Sequence, residues 1–311
     1  MSSAFELRGV TKQFTDIVAL RDVTLAVPRQ SIVGLIGRNG SGKTTLLRHV
    51  AGFLLPDRGE CMTLGTPSAQ LGRAELSRMG VADQHASLIP WMYPDQLLAY
   101  VSSFYERWDR ELERTLVREL EVNTNVAIGT LSPGNVQRLS LVVAVCHHPE
   151  LLLLDEPLSD LDPIARQTVL ALLLERFSSE DMTIVISSHM LRDIEPVVNR
   201  IVCMEAGRVV ADDELDVLSE RYAEWVVTSP AGRLPASFTE PYVLSAQGDA
   251  YRSRVLVRDA AAHAGAFAAL YDATIEVRPL NLEKLFPLLA GSGARGAKAG
   301  AVHVLDAARS T

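Results

Sequence analysis

Nine consecutive residues, Gly37 to Thr45 (GRNGSGKTT), carry the clearest chemistry in this 311-residue chain. Their spacing is G-x-x-x-x-G-K-[ST], in which the glycines let the backbone curl until successive N–H groups point at one anion. Gly37, Arg38, Asn39, Gly40, Ser41, Gly42, Lys43, Thr44 and Thr45 therefore read as a phosphate-binding loop. Lys43 is expected to neutralise the outer phosphates of a nucleotide, and Thr44 to hold a magnesium ion. A second acidic site follows in LLLLDEP, Leu151 to Pro157, where four leucines bury a strand that delivers Asp155 and Glu156 to its carboxyl end. Open parallel sheets bind ligands at that end. Asp155 is then a candidate magnesium ligand, through water, and Glu156 the carboxylate that polarises the water attacking a γ-phosphate. Taken alone, LLLLDEP is equally an acidic turn after a core strand. Paired with the phosphate loop, it reads as the second half of a nucleotide site.

These residues need a scaffold, and the pattern supplies one. Ser31–Ile36 is a short Ile/Val-rich run read as a strand, and Thr44–Ala51 begins a helix directly after the loop. Buried strands are expected at Leu151–Leu154 and Thr183–Ser187, and helices at Val136–Cys146 and Pro163–Phe177. Alternating strands and helices predict an α/β fold with a mainly parallel sheet covered on both faces. Phe5–Val27 alternates polar and apolar residues and fits an antiparallel β subdomain. Between Pro94 and Thr130, Gln96–Phe104 and Arg110–Leu120 show helical spacing with charged outer faces, which predicts a helical insertion. Residues 1–220 thus read as one nucleotide-binding domain. Residues 221–290, with strands at Glu224–Thr228, Tyr242–Ser245, Arg252–Val257 and Thr274–Val277 and helices at Ala260–Tyr271 and Leu282–Leu289, read as a small C-terminal α+β domain. The Gly/Ala-rich stretch 291–311 is expected to be a disordered tail.

In this order the motifs resemble the P-loop NTPase subunits of ABC transporters over roughly Phe5 to Asp213. The resemblance implies further roles. Phe14 stands where the family stacks an aromatic on adenine, although alone it would read as a core residue. Gln84 stands where the family places a glutamine that touches magnesium and reports on the membrane partner. Leu131–Asn135 (LSPGN) sits at the signature motif, so Ser132, Gly134 and Asn135 are implied to contact the ATP of an opposite subunit. SDLD, with Asp160 and Asp162, matches the loop that crosses the dimer interface, and His189 the histidine that meets the γ-phosphate. Out of this order, Gln84 and His189 would be ordinary surface or capping residues.

The signature departs from the family's LSGGQ, with Pro133 for the first glycine and Asn135 for glutamine. Proline is tolerated in a first helical turn but removes one possible N–H donor to phosphate, so a weakened or asymmetric site is one consequence. The resemblance implies catalytic roles for Lys43, Glu156 and His189, ATP and Mg²⁺ as cofactors, and a head-to-tail dimer, homo- or heteromeric. It also implies an integral membrane permease as partner, at the cytoplasmic face of the membrane. FYERWDRELERTL before the signature and EVRPLNLEKLFPLL near the end look like bacterial two-component exporters of peptides, antibiotics or lipid-like compounds. The second of these stretches reads equally as an amphipathic packing helix. Two other classes stay open: a soluble ABC ATPase of translation or DNA repair, and a regulatory module that clamps ATP without useful turnover.

Composition narrows the field further. A net charge of −8 argues against a nucleic-acid-binding face. Cys61, Cys146 and Cys203 are too far apart for a zinc or disulfide framework and read as buried or incidental thiols in a reducing cytoplasm. The first residues lack a signal-peptide core, and no apolar run reaches the roughly 18 residues that span a bilayer. His147 and His148 read as a solvated helix end, and His49 and His85 form no metal cluster.

Overall fold

The computed structural model describes residues 3–83, 88–174, 182–292 and 302–303. The chain divides into two compact units, Met1–Asp212 and Asp213–Thr311.

The first unit is built on runs of aliphatic residues that can be buried on both faces. β3 (Ile32–Gly37), β7 (Leu151–Asp155) and β8 (Thr183–Ser188) are interior along almost their whole length, as expected of central parallel strands. With β6 (Met79–Ala82), β9 (Arg200–Glu205) and β10 (Arg208–Glu214) they form a six-stranded sheet of order β10-β9-β3-β8-β7-β6. The pairs β3/β8, β3/β9, β6/β7 and β7/β8 are parallel. β9 and β10 are joined by Ala206 and Gly207, both at positive φ, the geometry of a tight hairpin turn.

A second sheet, order β2-β1-β4-β5, comes from β1 (Ser3–Phe14), β2 (Ile17–Pro28), β4 (Arg58–Thr63) and β5 (Thr66–Pro67). Helix α1 (Lys43–Val50) lies between the sheets. Its Leu46, Leu47 and Val50 share one core with Leu7, Val10 and Leu25 of the antiparallel sheet and Leu153, Val185 and Val202 of the parallel one. The short α2 (Arg73–Leu76) precedes β6.

The insertion consists of α3 (Pro94–Ser102) and α4 (Arg110–Glu119), both packed on α5 (Pro133–Val145). Asp109 starts α4 by accepting hydrogen bonds from the N–H groups of Glu111 and Leu112. α6 (Pro163–Leu172) and α7 (Leu191–Ile194) complete the unit. α5 begins three residues before the expected Val136, because Ser132 caps it and Pro133 occupies its first position. The part of the Pro163–Phe177 helix beyond Leu174 lies outside the described residues.

At the end of the sheet remote from the phosphate loop, Glu150 accepts from Arg78 at 2.6 Å twice and from Arg29 at 3.0 Å. Its bonds to Arg78 hold the carboxyl below its usual pKa. A lowered carboxyl pKa contributes stability above the unfolded value, and that contribution fades as pH falls through the folded one. The side chain is 38% exposed, so Glu150→Gln is expected to cost under about 1 kcal/mol near neutral pH. Thermal melts should show the gap between the two proteins closing as pH is lowered towards 4 and beyond.

In the second unit, β11 (Tyr222–Thr228), β13 (Val243–Gly248), β14 (Arg252–Arg258) and β15 (Thr274–Pro279) form an antiparallel sheet of order β13-β14-β11-β15. One face carries Trp225, Val227, Val255 and Val257, which share a core with Phe267 of α9 (Ala260–Tyr271). α10 (Leu282–Ser292) buries Leu282, Leu285 and Leu289, an amphipathic spacing. The unit starts at Asp213 rather than 221, because α8 (Leu215–Arg221) buries Leu218 and packs against α9 and β11. β12 (Ser237–Phe238) pairs with β16 (Val302–His303). The rest of the expected disordered tail beyond Ser292 lies outside the described residues.

Candidate functional site

The phosphate loop hangs between the end of β3 and the start of α1, and close backbone approaches hold its shape. A Cβ on Gly37 would lie 2.5 Å from the Met204 carbonyl, and one on Gly42 2.5 Å from that of Ala19. Gly40 and Gly42 also adopt φ of 78° and 106°, a region that favours glycine. The Ser41 N–H donates to the Arg38 carbonyl at 3.0 Å, and the Gly207 N–H donates to the Ser41 carbonyl at 3.0 Å. The β9–β10 turn therefore props the loop from behind. Arg38, Asn39 and Gly40 are exposed, Thr44 and Thr45 half-buried, and Ser41 and Lys43 buried.

No side chain caps α1, and no acidic residue lies in its first turn. Its leading N–H groups thus form an anion site whose positive end no carboxylate of the helix itself neutralises. Lys43 reinforces this: its Nζ donates to the Gly37 carbonyl at 2.9 Å and stands 3.5 Å from Glu156 Oε1.

Asp155 and Glu156 leave the carboxyl end of β7 beside that loop, both buried. Asp155 faces Ser187 across the β7/β8 register, and the Ser187 hydroxyl donates to Asp155 Oδ1 at 2.5 Å. Glu156 has a φ of 49°, a conformation that a non-glycine residue keeps only when its surroundings hold it. Here its N–H donates to Ser187 Oγ at 2.9 Å. On the other side, His189 Nδ1 lies 2.8 Å from Glu156 Oε2, so an Nδ1–H donates to the carboxylate and leaves Nε2 free to face outward. The His189 side chain is 47% exposed. Lys43, Asp155, Glu156 and His189 thus converge at one sheet end, joined by Ser187. Ser187 was missed as a site residue because its partner becomes visible only once β7 and β8 are paired.

Ser132 caps α5 through its hydroxyl, which accepts from the Asn135 N–H at 3.4 Å. A Cβ at Gly134 would lie 2.5 Å from the Asp160 carbonyl, so the signature rests on the loop that follows Glu156. Asp162 caps α6 and pairs with Arg138 of α5 at 2.9 Å. Asn135 turns partly inward: its Oδ1 accepts from the Asn123 N–H at 2.7 Å, leaving its NH₂ for other partners. Phe14 is no core aromatic. It is 42% exposed at the tip of the β1–β2 hairpin, with the Lys12 ammonium 5.5 Å from its ring centre. Gln84 lies outside the described residues; its neighbour Asp83 pairs with Arg48 of α1 at 2.8 Å.

His147 is not solvated. It is buried, bonds the Met79 carbonyl through Nε2 at 3.0 Å and stacks on Tyr105 at 4.1 Å. Burial holds its pKa below the usual histidine value. His148 is half-buried beside Asp109 at 3.2 Å. His147 and Tyr105 line a cleft of about 200 Å³ with Ala51, Phe53, Leu76 and Val143, where the core meets the insertion.

Residues 20–159 match the ABC transporter family. Nod factor export ATP-binding protein I of Bradyrhizobium diazoefficiens is 31% identical over 224 residues, covering 70% of this chain and 73% of the relative. ABC transporter ATP-binding protein YtrB of Bacillus subtilis is 32% identical over 217 residues, covering 70% and 74%. A solved ATP-binding subunit of an ABC transporter superposes with a TM-score of 0.61 at 28% identity, over 70% of this chain and 92% of that one.

Proposed function

Because the chain belongs to the ABC transporter family of ATP-hydrolysing subunits, we propose that Lys43, Asp155, Glu156 and His189 form half of a composite ATP site. That site would power export through a separate membrane-spanning partner. The observation that carries this reading is the buried Lys43–Glu156 pair, set against the uncapped N-terminus of α1.

The loop N–H groups and Lys43 take the β- and γ-phosphates. Phe14, exposed at its hairpin tip, is available to stack on the adenine. Thr44, Asp155 and Gln84 would hold Mg²⁺, which supplies neutralisation of charge shared by the β- and γ-phosphates. The donor set fits a hard cation, since Asp155 is buried, oxygen-bearing and already fixed by Ser187. Glu156, oriented by His189, accepts a hydrogen bond from the attacking water, and His189 Nε2 meets the γ-phosphate.

The opposite face of that phosphate requires a second subunit. Ser132, Gly134 and Asn135 stand at the N-terminus of α5 and offer a second anion site to the ATP of a partner, while Asp160 and Asp162 line the shared interface. Pro133 removes one N–H from that site, which favours a pair of unlike subunits as a second reading.

The membrane partner is proposed to dock in the cleft lined by Phe53, Leu76 and Tyr105. Exposed Trp91, Tyr93, Tyr100 and Phe104 supply further apolar surface on the insertion and the segment leading into it. The Arg48–Asp83 pair ties the segment leading to Gln84 to the helix that follows the phosphate loop. No helix among the described residues is long and apolar enough to cross a membrane. The membrane partner would hold the chain at the cytoplasmic face. Likeness to a Nod factor export subunit favours export.

Phe53 is 60% exposed and tests this docking. Phe53→Asp is expected to leave basal ATP turnover within about twofold while reducing co-sedimentation with partner-containing membranes about tenfold or more, the loss of an aromatic anchor. Unchanged membrane binding, or recovery on ribosomes or DNA instead, would overturn the reading.

A further inference from the structure

The second unit ends its sheet on an open edge. Among the described residues, β15 pairs with β11 alone, at the end of the order β13-β14-β11-β15. Exposed edge strands are usually blunted by charged side chains, proline or bulges, because they invite another strand. β15 reads Thr-Ile-Glu-Val-Arg-Pro, and no register shift interrupts its pairing with β11.

Its backbone polarity can be worked out. The Thr274 hydroxyl donates to the Thr228 carbonyl at 3.4 Å, and these two residues are direct partners, so that carbonyl faces β15. Along β15, Thr274, Glu276 and Arg278 then bond inward to β11, and Ile275, Val277 and Pro279 turn their backbone outward. Proline is tolerated on the outward side of an edge because it has no N–H to lose there.

The side chains follow the same alternation. Val277 lies opposite Trp225 on the face covered by α9, yet is 56% exposed, and Leu270 of α9 is 66% exposed. Glu276 and Arg278 project from the other face, where Arg278 Nε donates to Glu276 Oε1 at 2.8 Å.

We infer that β15 pairs antiparallel with β15 of a second copy of this chain, centred on Val277, joining two second units into one continuous eight-stranded sheet. The register follows from parity and charge. A two-fold axis perpendicular to the sheet must place one residue opposite itself, since opposed side chains share a face. Centring on Glu276 or Arg278 would oppose like charges. Centring on Val277 sets each Glu276 against the other copy's Arg278, and Ile275 against Pro279. Val277 then exchanges two backbone bonds with its twin, and each Ile275 N–H donates to a Pro279 carbonyl. Opposite charges flanking a valine make this edge complementary to itself, where a blunted edge would repel its copy. The contact needs no nucleotide and is independent of the composite ATP site.

The test is light scattering of the full chain without nucleotide. The wild type is expected at twice the chain mass. Glu276→Arg, at an exposed position, and Arg278→Glu, at a half-buried one, should each weaken association at least tenfold, and the double reversal should restore it. Val277→Cys should cross-link, since Cα atoms of a hydrogen-bonded pair stand about 5.5 Å apart, within disulfide reach. A wild-type monomer, a dimer indifferent to either single reversal, or a double reversal that stays monomeric would overturn the proposal.

Discussion

Glu156→Gln is expected to lower ATP turnover by about two to four orders of magnitude, the usual contribution of a positioned general base. In Mg-ATP it should also trap a stable dimer through the nucleotide site, read in a chain that carries Arg278→Glu so that the β15 contact does not contribute. The substitution keeps the size of the side chain and an oxygen for the His189 Nδ1–H, at present 2.8 Å away. What disappears is the negative charge that stands 3.5 Å from Lys43 and that is proposed to polarise the water. Binding persists while hydrolysis stalls, so the ATP-closed state accumulates. Phosphate release and light scattering read the two effects separately. Adding Ser132→Arg, which puts a bulky cation where α5 offers its N-terminus, should return the chain to monomer. If Glu156→Gln in that Arg278→Glu background binds ATP yet remains monomeric, the pair of unlike subunits suggested by Pro133 becomes the better reading.

Lys43→Ala is expected to reduce ATP affinity about 100-fold, roughly the loss of two charge-assisted contacts to phosphate. It should also destabilise the first unit by about 3 kcal/mol, because removing one member of a buried ion pair leaves the other charge uncompensated. Lys43 and Glu156 are 6% and 8% exposed, so solvent screens neither well. His189 remains as a partner for Glu156, which keeps the cost at the lower end. The double variant Lys43→Ala/Glu156→Gln should recover most of the lost stability and none of the lost affinity. Calorimetric titration with ATP and chemical denaturation follow the two quantities.

Local chemistry explains which parts of this molecule were legible in its sequence. β3, β7 and β8 are continuous aliphatic runs, and the glycine spacing from Gly37 to Gly42 specifies a backbone shape, so strand, loop and helix could be placed from the residues alone. α9 was placed at its observed bounds because Asp259 and Asp272 flank an unbroken alanine-rich stretch. Long-range partners were not legible. His147 looked solvated because Tyr105, which stacks on it, and Met79, which bonds it, are remote in sequence. Ser187 gained a role only when the register set it opposite Asp155. β4 and β6 lack a clear apolar run, and β12 is too short to show a period. The packing of Leu218 within α8 was not legible, because acidic residues surround it in the sequence.

The most direct measurement is the rate of Mg-ATP hydrolysis per chain as a function of protein concentration, in a chain that carries Arg278→Glu so that the β15 contact does not hold copies together, with Lys43→Ala as the background. A composite site shared between two subunits is expected to give turnover that is low in dilute solution and rises with concentration before levelling off. Turnover indistinguishable from Lys43→Ala at every concentration would contradict hydrolysis by a composite site formed from this chain alone. Turnover per chain that is constant from the most dilute sample upward would show that one subunit suffices, and would contradict the shared site itself.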